Sequence, residues 1–252
     1  MRKYVFACAL LLLLDVSLAH AAGVNLRWNE CSGEGTGAIN NNFACGTNAG
    51  THLLVGSFNL DADANQIAHL DGIVDLASAS AALPAWWEFK NLGTCRTSSL
   101  GLNGTAGVSY TVCEDWSVGQ ASGAIVAYTV GTRGANTARV LLSVSVPPAA
   151  LQNLAGGTEY FAFNLTLNNI ATIGAGSCGG CATPVCIVLN SLKLVRGDET
   201  VAQTLTMPGN GTDSQYATWQ GGGNPTVGTV SGCPAATPTR STTWGAVKRM
   251  YR

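Results

Sequence analysis

The sequence predicts an all-β fold, an antiparallel β-sandwich stapled by disulfides. Three observations predict it. Short runs of alternating or β-branched residues are separated by Gly, Asn, Ser and Pro, the punctuation of strands and turns. No long segment carries the 3.6-residue periodicity of a helix. Eight of the nine cysteines remain once an N-terminal leader is set aside, an even number suited to pairing.

The leader reads from "MRKYVFACALLLLLDVSLAHAAG". Arg2 and Lys3 form a positive start. Tyr4 to Leu18 is mostly apolar, and Ala19-His20-Ala21 has the small-x-small pattern of a cleavage site. Cleavage is expected after Ala21, with Ala22 the near alternative. The apolar stretch is too short for a membrane span, which needs about 20 residues. Cys8 lies well before the cleavage site, so it is not a lipid-attachment cysteine. A secreted or cell-surface protein, folding in an oxidising space, is the expectation.

The strands follow in order. They are expected at 25–28, 51–60, 72–78, 86–89, 108–113, 123–130 and 138–146, the last stopped by Pro147-Pro148. In "TEYFAFNLTL" (158–167), Phe161, Phe163, Leu165 and Leu167 alternate with Tyr160, Ala162, Asn164 and Thr166, so one face packs on a core. Further strands are expected at 185–195, 200–207 and 214–220. The stretch "ALPAWWEF" is read as a strand or a helical turn. The spacing suits a two-sheet sandwich, jelly-roll-like or resembling cohesin and carbohydrate-binding modules. Three regions result: a signal peptide at 1–21, the sandwich at 22–225, and a Gly/Thr/Pro-rich linker with a basic tail at 226–252. In that tail Trp244, Val247, Lys248 and Tyr251 have helical spacing, on a segment too short to be stable alone.

Charge narrows the function classes. Without Arg2, Lys3 and Asp15 the chain has 11 basic and 13 acidic residues, a net charge of −2. That balance argues against a nucleic-acid partner. The last thirteen residues hold Arg240, Lys248, Arg249 and Arg252 and no acid. The tail is thus a +4 appendage on a −6 body.

The cysteines are Cys31, Cys45, Cys95, Cys113, Cys178, Cys181, Cys186 and Cys233. Cys31 and Cys45 flank one Gly/Asn-rich loop and Cys95 and Cys113 another. Each pair would close a short loop worth roughly 3 kcal/mol in the chain-entropy picture. Among the remaining four, Cys181–Cys186 is expected as a local link and Cys178–Cys233 as a long one. The Cys-x-x-Cys at 178–181 is followed by Pro184 and a β-branched run, not by the helix that activates a redox thiol. Four thiolates at 178, 181, 186 and 233 could in principle bind zinc, but the spacing is not that of a common knuckle.

Other candidates are binding residues. Asp61, Asp63 and Asn65 alternate in "NLDADANQ" and could offer oxygens to calcium, with Asp71 and Asp75 as further donors. Gln66 stands where an EF-hand requires glycine. Apart from calcium no cofactor is expected. Trp86 and Trp87 beside Glu88 form the best candidate for an exposed sugar-stacking platform; Trp116, Trp219 and Tyr216 are further aromatics. Catalytic motifs are missing: His52 and His69 are the mature chain's histidines, and no nucleophile elbow, zinc-protease motif or phosphate loop occurs. Glu30, Glu34, Glu88, Glu114 and Glu159 could supply a glycosidase pair only at the right separation.

The segments "CGGCATPVCIVLNSLKL", "LPAWWEF", "TEYFAFNLTLNNI", "YATWQGGG" and "TWGAVKRMYR" together resemble a group of uncharacterised secreted bacterial β-sandwich proteins. Their shared features are a CxGCxxPxCIVLNS motif and a C-terminal TWGxxKxxYR tail, and the resemblance covers most of the mature chain. It implies a sandwich and a tail that serves as an address or docking element, through Trp244, Lys248, Tyr251 and Arg252. It implies no reaction and no ligand. In a bacterial protein the Asn-x-Thr sequons at Asn103, Asn164 and Asn210 would be incidental; in a eukaryotic one they would be glycan sites.

The leading expectation is a non-catalytic binding or structural module outside the cell. Its partners would be the cell envelope, sorting machinery or an extracellular glycan or protein. A carbohydrate-binding module, calcium-stabilised, is the second reading and an unrecognised hydrolase the third.

Overall fold

The computed structural model describes residues 22–90, 95–107, 109–206, 208 and 214–221. The leader, Cys233, Asn210 and the tail residues Trp244, Lys248, Tyr251 and Arg252 lie outside the described residues. Thirteen strands run β1 (Gly23–Trp28), β2 (Asn40–Asn41), β3 (Thr51–Asn59), β4 (Ala64–Ser78), β5 (Leu100–Asn103), β6 (Glu114–Asp115), β7 (Ser122–Val130), β8 (Thr137–Ser145), β9 (Gln152–Leu154), β10 (Glu159–Asn168), β11 (Val185–Arg196), β12 (Val201–Leu205) and β13 (Tyr216–Trp219). They form two sheets of a β-sandwich. The smaller has the order β1-β3-β10-β5, with β6 beside β10. The larger has the order β2-β13-β11-β4-β8-β7, with β12 on β11 and β9 on β4. Pairing is antiparallel except for the two-residue contacts β6–β10 and β2–β13.

The alternating patterns place the core between the sheets. Val185, Ile187 and Leu189 of β11, Val140, Leu142 and Val144 of β8, and Leu54 and Phe58 of β3 all point inward. Close packing of this layer admits little extra volume. An added Cβ at Gly56 would lie 2.5 Å from the Phe163 ring, and one at Gly72 would lie 2.7 Å from Leu142. Bulk at either position would force strained repacking.

The strands at 51–60, 123–130, 138–146, 158–167, 185–195, 200–207 and 214–220 form close to their expected bounds. Four details differ for physical reasons. β4 is twice the expected length because its first half carries polar residues on the outer face. β10 does not alternate strictly: its register against β3 shifts between Phe161 and Phe163, a bulge that sends Phe161 to the outer face while Phe163, Leu165 and Leu167 stay in the core. At the Trp pair the expected strand gives way to its stated alternative, a helical turn: Ala85–Trp87 is a 3-10 turn after Pro84. Of the expected strand at 108–113, the described residues 109–113 are loop, because the amides of Thr111, Val112 and Cys113 are taken by a carboxylate instead of a neighbouring strand.

The disulfides overturn the expected local pairings. Cys31 bonds Cys113, Cys45 bonds Cys181 and Cys95 bonds Cys178, with sequence separations of 82, 136 and 83. Sheet topology brings each loop against a distant one, so neighbours in sequence are not neighbours in space. The same bonds consume Cys178 and Cys181, which removes both the zinc set and the redox pair. Cys186 is also disulfide-bonded, and not to Cys181. Loops of this size give roughly 4–5 kcal/mol each in the chain-entropy picture, more than the short loops would. Among the described residues no helix is long and apolar enough to cross a membrane.

Candidate functional site

The candidate site is an open hollow of about 790 Å³ lined by residues 105–107, 109–115 and 118–119, in the 105–119 loop that joins β5 to β7 and carries the two-residue β6. The loop crosses the outer face of the smaller sheet. The loop is seated on a small apolar cluster of Cys31, Val55, Cys113 and Phe161, against which Ala106 and Tyr110 pack. The Tyr110 ring stacks on Phe161 with centroids 6.0 Å apart.

Three carboxylates hold the hollow's shape. The Glu34 carboxylate accepts the amides of Thr111 (2.8 Å), Val112 (2.7 Å) and Cys113 (3.1 Å) and the Thr111 hydroxyl (2.5 Å). Those donors, the Thr111 hydroxyl foremost, hold its pKa down to about 2. Asp115 accepts the Ser117 amide and hydroxyl on one oxygen and the amides of Ala106 and Gly119 on the other, so it ties both ends of the loop. Buried Glu159 accepts the amides of Ser32 (2.9 Å) and Gly33 (2.6 Å) and the Ser57 hydroxyl (2.5 Å). The turn Ser32–Glu34 is therefore gripped from β10 and itself grips the loop, with the Cys31–Cys113 bond between the two clasps.

The mouth of the hollow has a distinct chemistry. Val112 and Val118 are 55% and 70% exposed, unusual for valines. Glu114 is exposed beside them. Burial and the nearby charges of Glu30 and Glu34 raise the Tyr110 pKa, so its hydroxyl stays protonated at neutral pH. Glutamate and aspartate occur in the lining, lysine and arginine do not.

A family-scale search leaves the chain without a match: no family model and no curated protein matches it. One similar solved structure is a cohesin module. It belongs to a family 33 glycoside hydrolase of Clostridium perfringens and aligns over 75% of this chain and 97% of its own, at 6% identity and a TM-score of 0.32. That likeness assigns no ligand or activity.

The expected sugar platform is not at the surface. Trp86 and Trp87 are fully buried, with ring centroids 4.8 and 5.1 Å from that of Trp219. Pro84 starts the turn that drives both rings inward, so they cannot stack on a ligand; Glu88 is half-buried. Trp116 and Trp219 are buried too. The Trp86 indole donates to Thr172 (2.9 Å), and the Arg96 guanidinium lies 3.6 Å from its ring centroid. Arg96 is fully buried and donates to the carbonyls of Asn168 and Ile170. Burial pulls its pKa down to about 10, which still leaves it charged at neutral pH. Nothing in "CRTSSLG" marked this arginine as a core residue.

The calcium residues serve other ends. Asp61 accepts Gln203 (3.0 Å) and Asp63 accepts the Gly156 amide (2.9 Å), so the two carboxylates fasten different elements to the β3–β4 turn. Asn65 is exposed on β4. Asp71 faces Lys193 at 3.5 Å, while Asp75 is buried between Arg133 (2.9 Å) and Arg139 (2.7 Å). Among the described residues, the one group of three acidic, histidine or cysteine side chains close enough for a shared ion is Cys31, Cys113 and Glu159. Its two sulfurs are bonded to each other. His52 is wedged against Phe43 and Trp219 and contacts Asn169, and His69 lies on the outer face 3.8 Å from Asp71. Glu34 and Glu159, considered for a glycosidase pair, are instead saturated by donors of their own fold.

Proposed function

We propose that this chain is a secreted, non-catalytic binding module whose recognition surface is the hollow of the 105–119 loop. The observation that carries the reading is the pair of exposed valines, Val112 and Val118, beside the exposed Glu114, on a loop fixed by a disulfide and two carboxylate clasps. A loop that must stay ordered for recognition repays such fastening; an idle loop does not require it. The surface chemistry favours a ligand that pairs an apolar group with a positive charge, such as a lysine- or arginine-bearing peptide segment. Three disulfides are compatible with the extracellular setting that the leader implies.

The test is surface-immobilised mature protein probed with arrays of basic, acidic and neutral peptides and of glycans. Basic-apolar peptides are expected to bind, and Val118→Asp and Glu114→Lys to weaken them at least tenfold. Binding unaffected by both substitutions, or confined to glycans, would overturn the assignment.

A further inference from the structure

In the loop that follows β10, "NNIATIG", burial is inverted. The polar Asn169 and Thr172 are 2% and 9% exposed, while Ile170 and Ile173 are 52% and 42% exposed. Large aliphatic side chains ordinarily take the buried places and short polar ones the wet places. A dense frame maintains the inversion. The Thr172 hydroxyl donates to the Asn169 carbonyl (2.6 Å) and accepts the Trp86 indole, and the Asn169 side chain donates to the Ala49 carbonyl (3.0 Å). The Asn48 side chain accepts the amides of Thr172 (2.8 Å) and Ile173 (2.9 Å) and donates to the Ile173 carbonyl (3.1 Å). Arg96 holds the Ile170 carbonyl from the buried side. Ala171 takes a left-handed φ of 59°, which a residue with a side chain adopts only under constraint. The Cys45–Cys181 and Cys95–Cys178 bonds close on the same segments. The isoleucines are thus held outward by a fixed frame.

Their surroundings carry little charge. Segments 42–51, 95–99 and 169–184, which these bonds join, contain no acid and no histidine, and their one base is the fully buried Arg96. Their one aromatic ring, Phe43, packs against Trp28 and Trp219. Exposed positions are taken by small residues such as Ala44, Gly46, Ala49, Gly174, Ala175 and Gly176, which let another backbone come close. Such a surface has no charge to select an ionic ligand and no ring to stack on a sugar. A bilayer asks for more apolar surface than two half-exposed isoleucines, since even a single myristoyl chain binds membranes only marginally. A second copy asks for less. A two-fold contact uses the same patch twice, brings four isoleucines together and sets no like charges of these segments against each other. We infer that Ile170 and Ile173 form the centre of a two-fold interface with a second copy of this chain.

The consequence concerns the other end of β10. Asn168 leads into the isoleucine loop, whereas Tyr160 and Phe161, near the start of the strand, pair with β6 in the 105–119 loop. Roughly 25 Å of extended strand separates the two. A dimer joined at the isoleucine loops therefore carries its two hollows toward its outer ends. It would present two copies of the proposed recognition surface, and paired sites hold a multivalent partner more tightly than one. That consequence rests on the proposed role of the hollow; the interface does not.

The experiment is sedimentation velocity of the mature, full-length protein over a range of concentrations. A contact of this modest size is expected to give a dimer with a dissociation constant on the order of 10–100 µM. The double substitution Ile170→Asp and Ile173→Asp should raise that constant at least about tenfold while leaving the thermal midpoint unchanged, because both side chains are exposed in the monomer. Val201→Asp, at a half-exposed valine of β12 paired with the far end of β11, should leave it unaltered. Small-angle scattering of the dimer should give a maximum dimension close to twice that of the monomer. A protein that stays monomeric at millimolar concentration, a dimer indifferent to the double substitution, or a side-by-side dimer in scattering contradicts the inference. So does flotation of a monomer with neutral phosphatidylcholine vesicles that the double substitution abolishes, which would assign the loop to a lipid surface. A dimer that forms although the hollow binds none of the arrayed peptides supports the interface and counts against the recognition role alone.

Discussion

The Glu34 clasp makes a prediction that separates charge from shape. In Glu34→Gln the side chain keeps its size and one accepting oxygen but loses its negative charge. The carboxylate sits at a pKa of about 2 against an ordinary 4.5, because three amides and a hydroxyl donate to it. Carried through linkage without screening, that displacement corresponds to roughly 3 kcal/mol. The group lies near solvent, which reduces the effect to about 1 kcal/mol. The sign follows from the direction. A depressed carboxylate contributes its stability above the unfolded value of 4.5 and loses it as pH falls toward 2. Denaturant unfolding of both proteins, measured at intervals from neutral pH to pH 2, should show the variant less stable by about 1 kcal/mol at neutral pH and equal to the wild type at the acid end. Other titrating groups are common to both proteins and cancel in the difference. A deficit of the same size at both ends of the range, or none at neutral pH, would refute the clasp.

Two more expectations follow from the buried groups. Burial lowers the His52 pKa below 6.5, so the unfolded chain takes up the proton more readily, and stability present above pH 6.5 is lost as the solution acidifies; His52→Gln should flatten that part of a melting-temperature profile, and an unchanged slope would count against the assignment. Trp86→Ala would remove a fully buried indole that packs on Trp87, Phe89 and Trp219 and under Arg96. A loss of about 3–5 kcal/mol in urea unfolding is expected, whereas a loss below about 1 kcal/mol would mean that the ring is peripheral.

How much of this was legible in the sequence depends on the range of the interaction. The strand-forming runs declare themselves locally, because side chains two residues apart share a face and need no partner to show it. The alternation in β8 and in the second half of β11 survives intact for that reason. The bulge in β10 is invisible, since Phe161 and Phe163 have the same chemistry and only the pairing with β3 separates them. Disulfide partners are non-local by nature: Cys45 and Cys181 meet because β2 and β11 flank β13, a fact of sheet order that spacing does not encode. The hollow was hidden differently. Glu34 was noticed as an acid, but its role lies in backbone amides 77 to 79 residues away, and amides have no sequence signature. The Trp pair misled because tryptophan suits both a sugar platform and a core, and only the turn at Pro84 decides between them.

The placement of the cross-links bears on what the fold is for. All six cysteines of the three described disulfides lie outside the strands. The sheets have their ladders and a continuous apolar core, and need no covalent support to find their register. The connecting segments have neither, and left alone they would sample many conformations. Each of these three bonds, and each carboxylate that gathers amides around Cys31–Cys113, therefore acts where order would otherwise be weakest. A scaffold whose sole task was to persist would gain more from a larger core than from fixed loops. Fixing a loop matters when its shape is read by something else, since preorganisation removes the ordering cost from the moment of binding. This argument favours the 105–119 hollow over the sheet faces as the recognition surface.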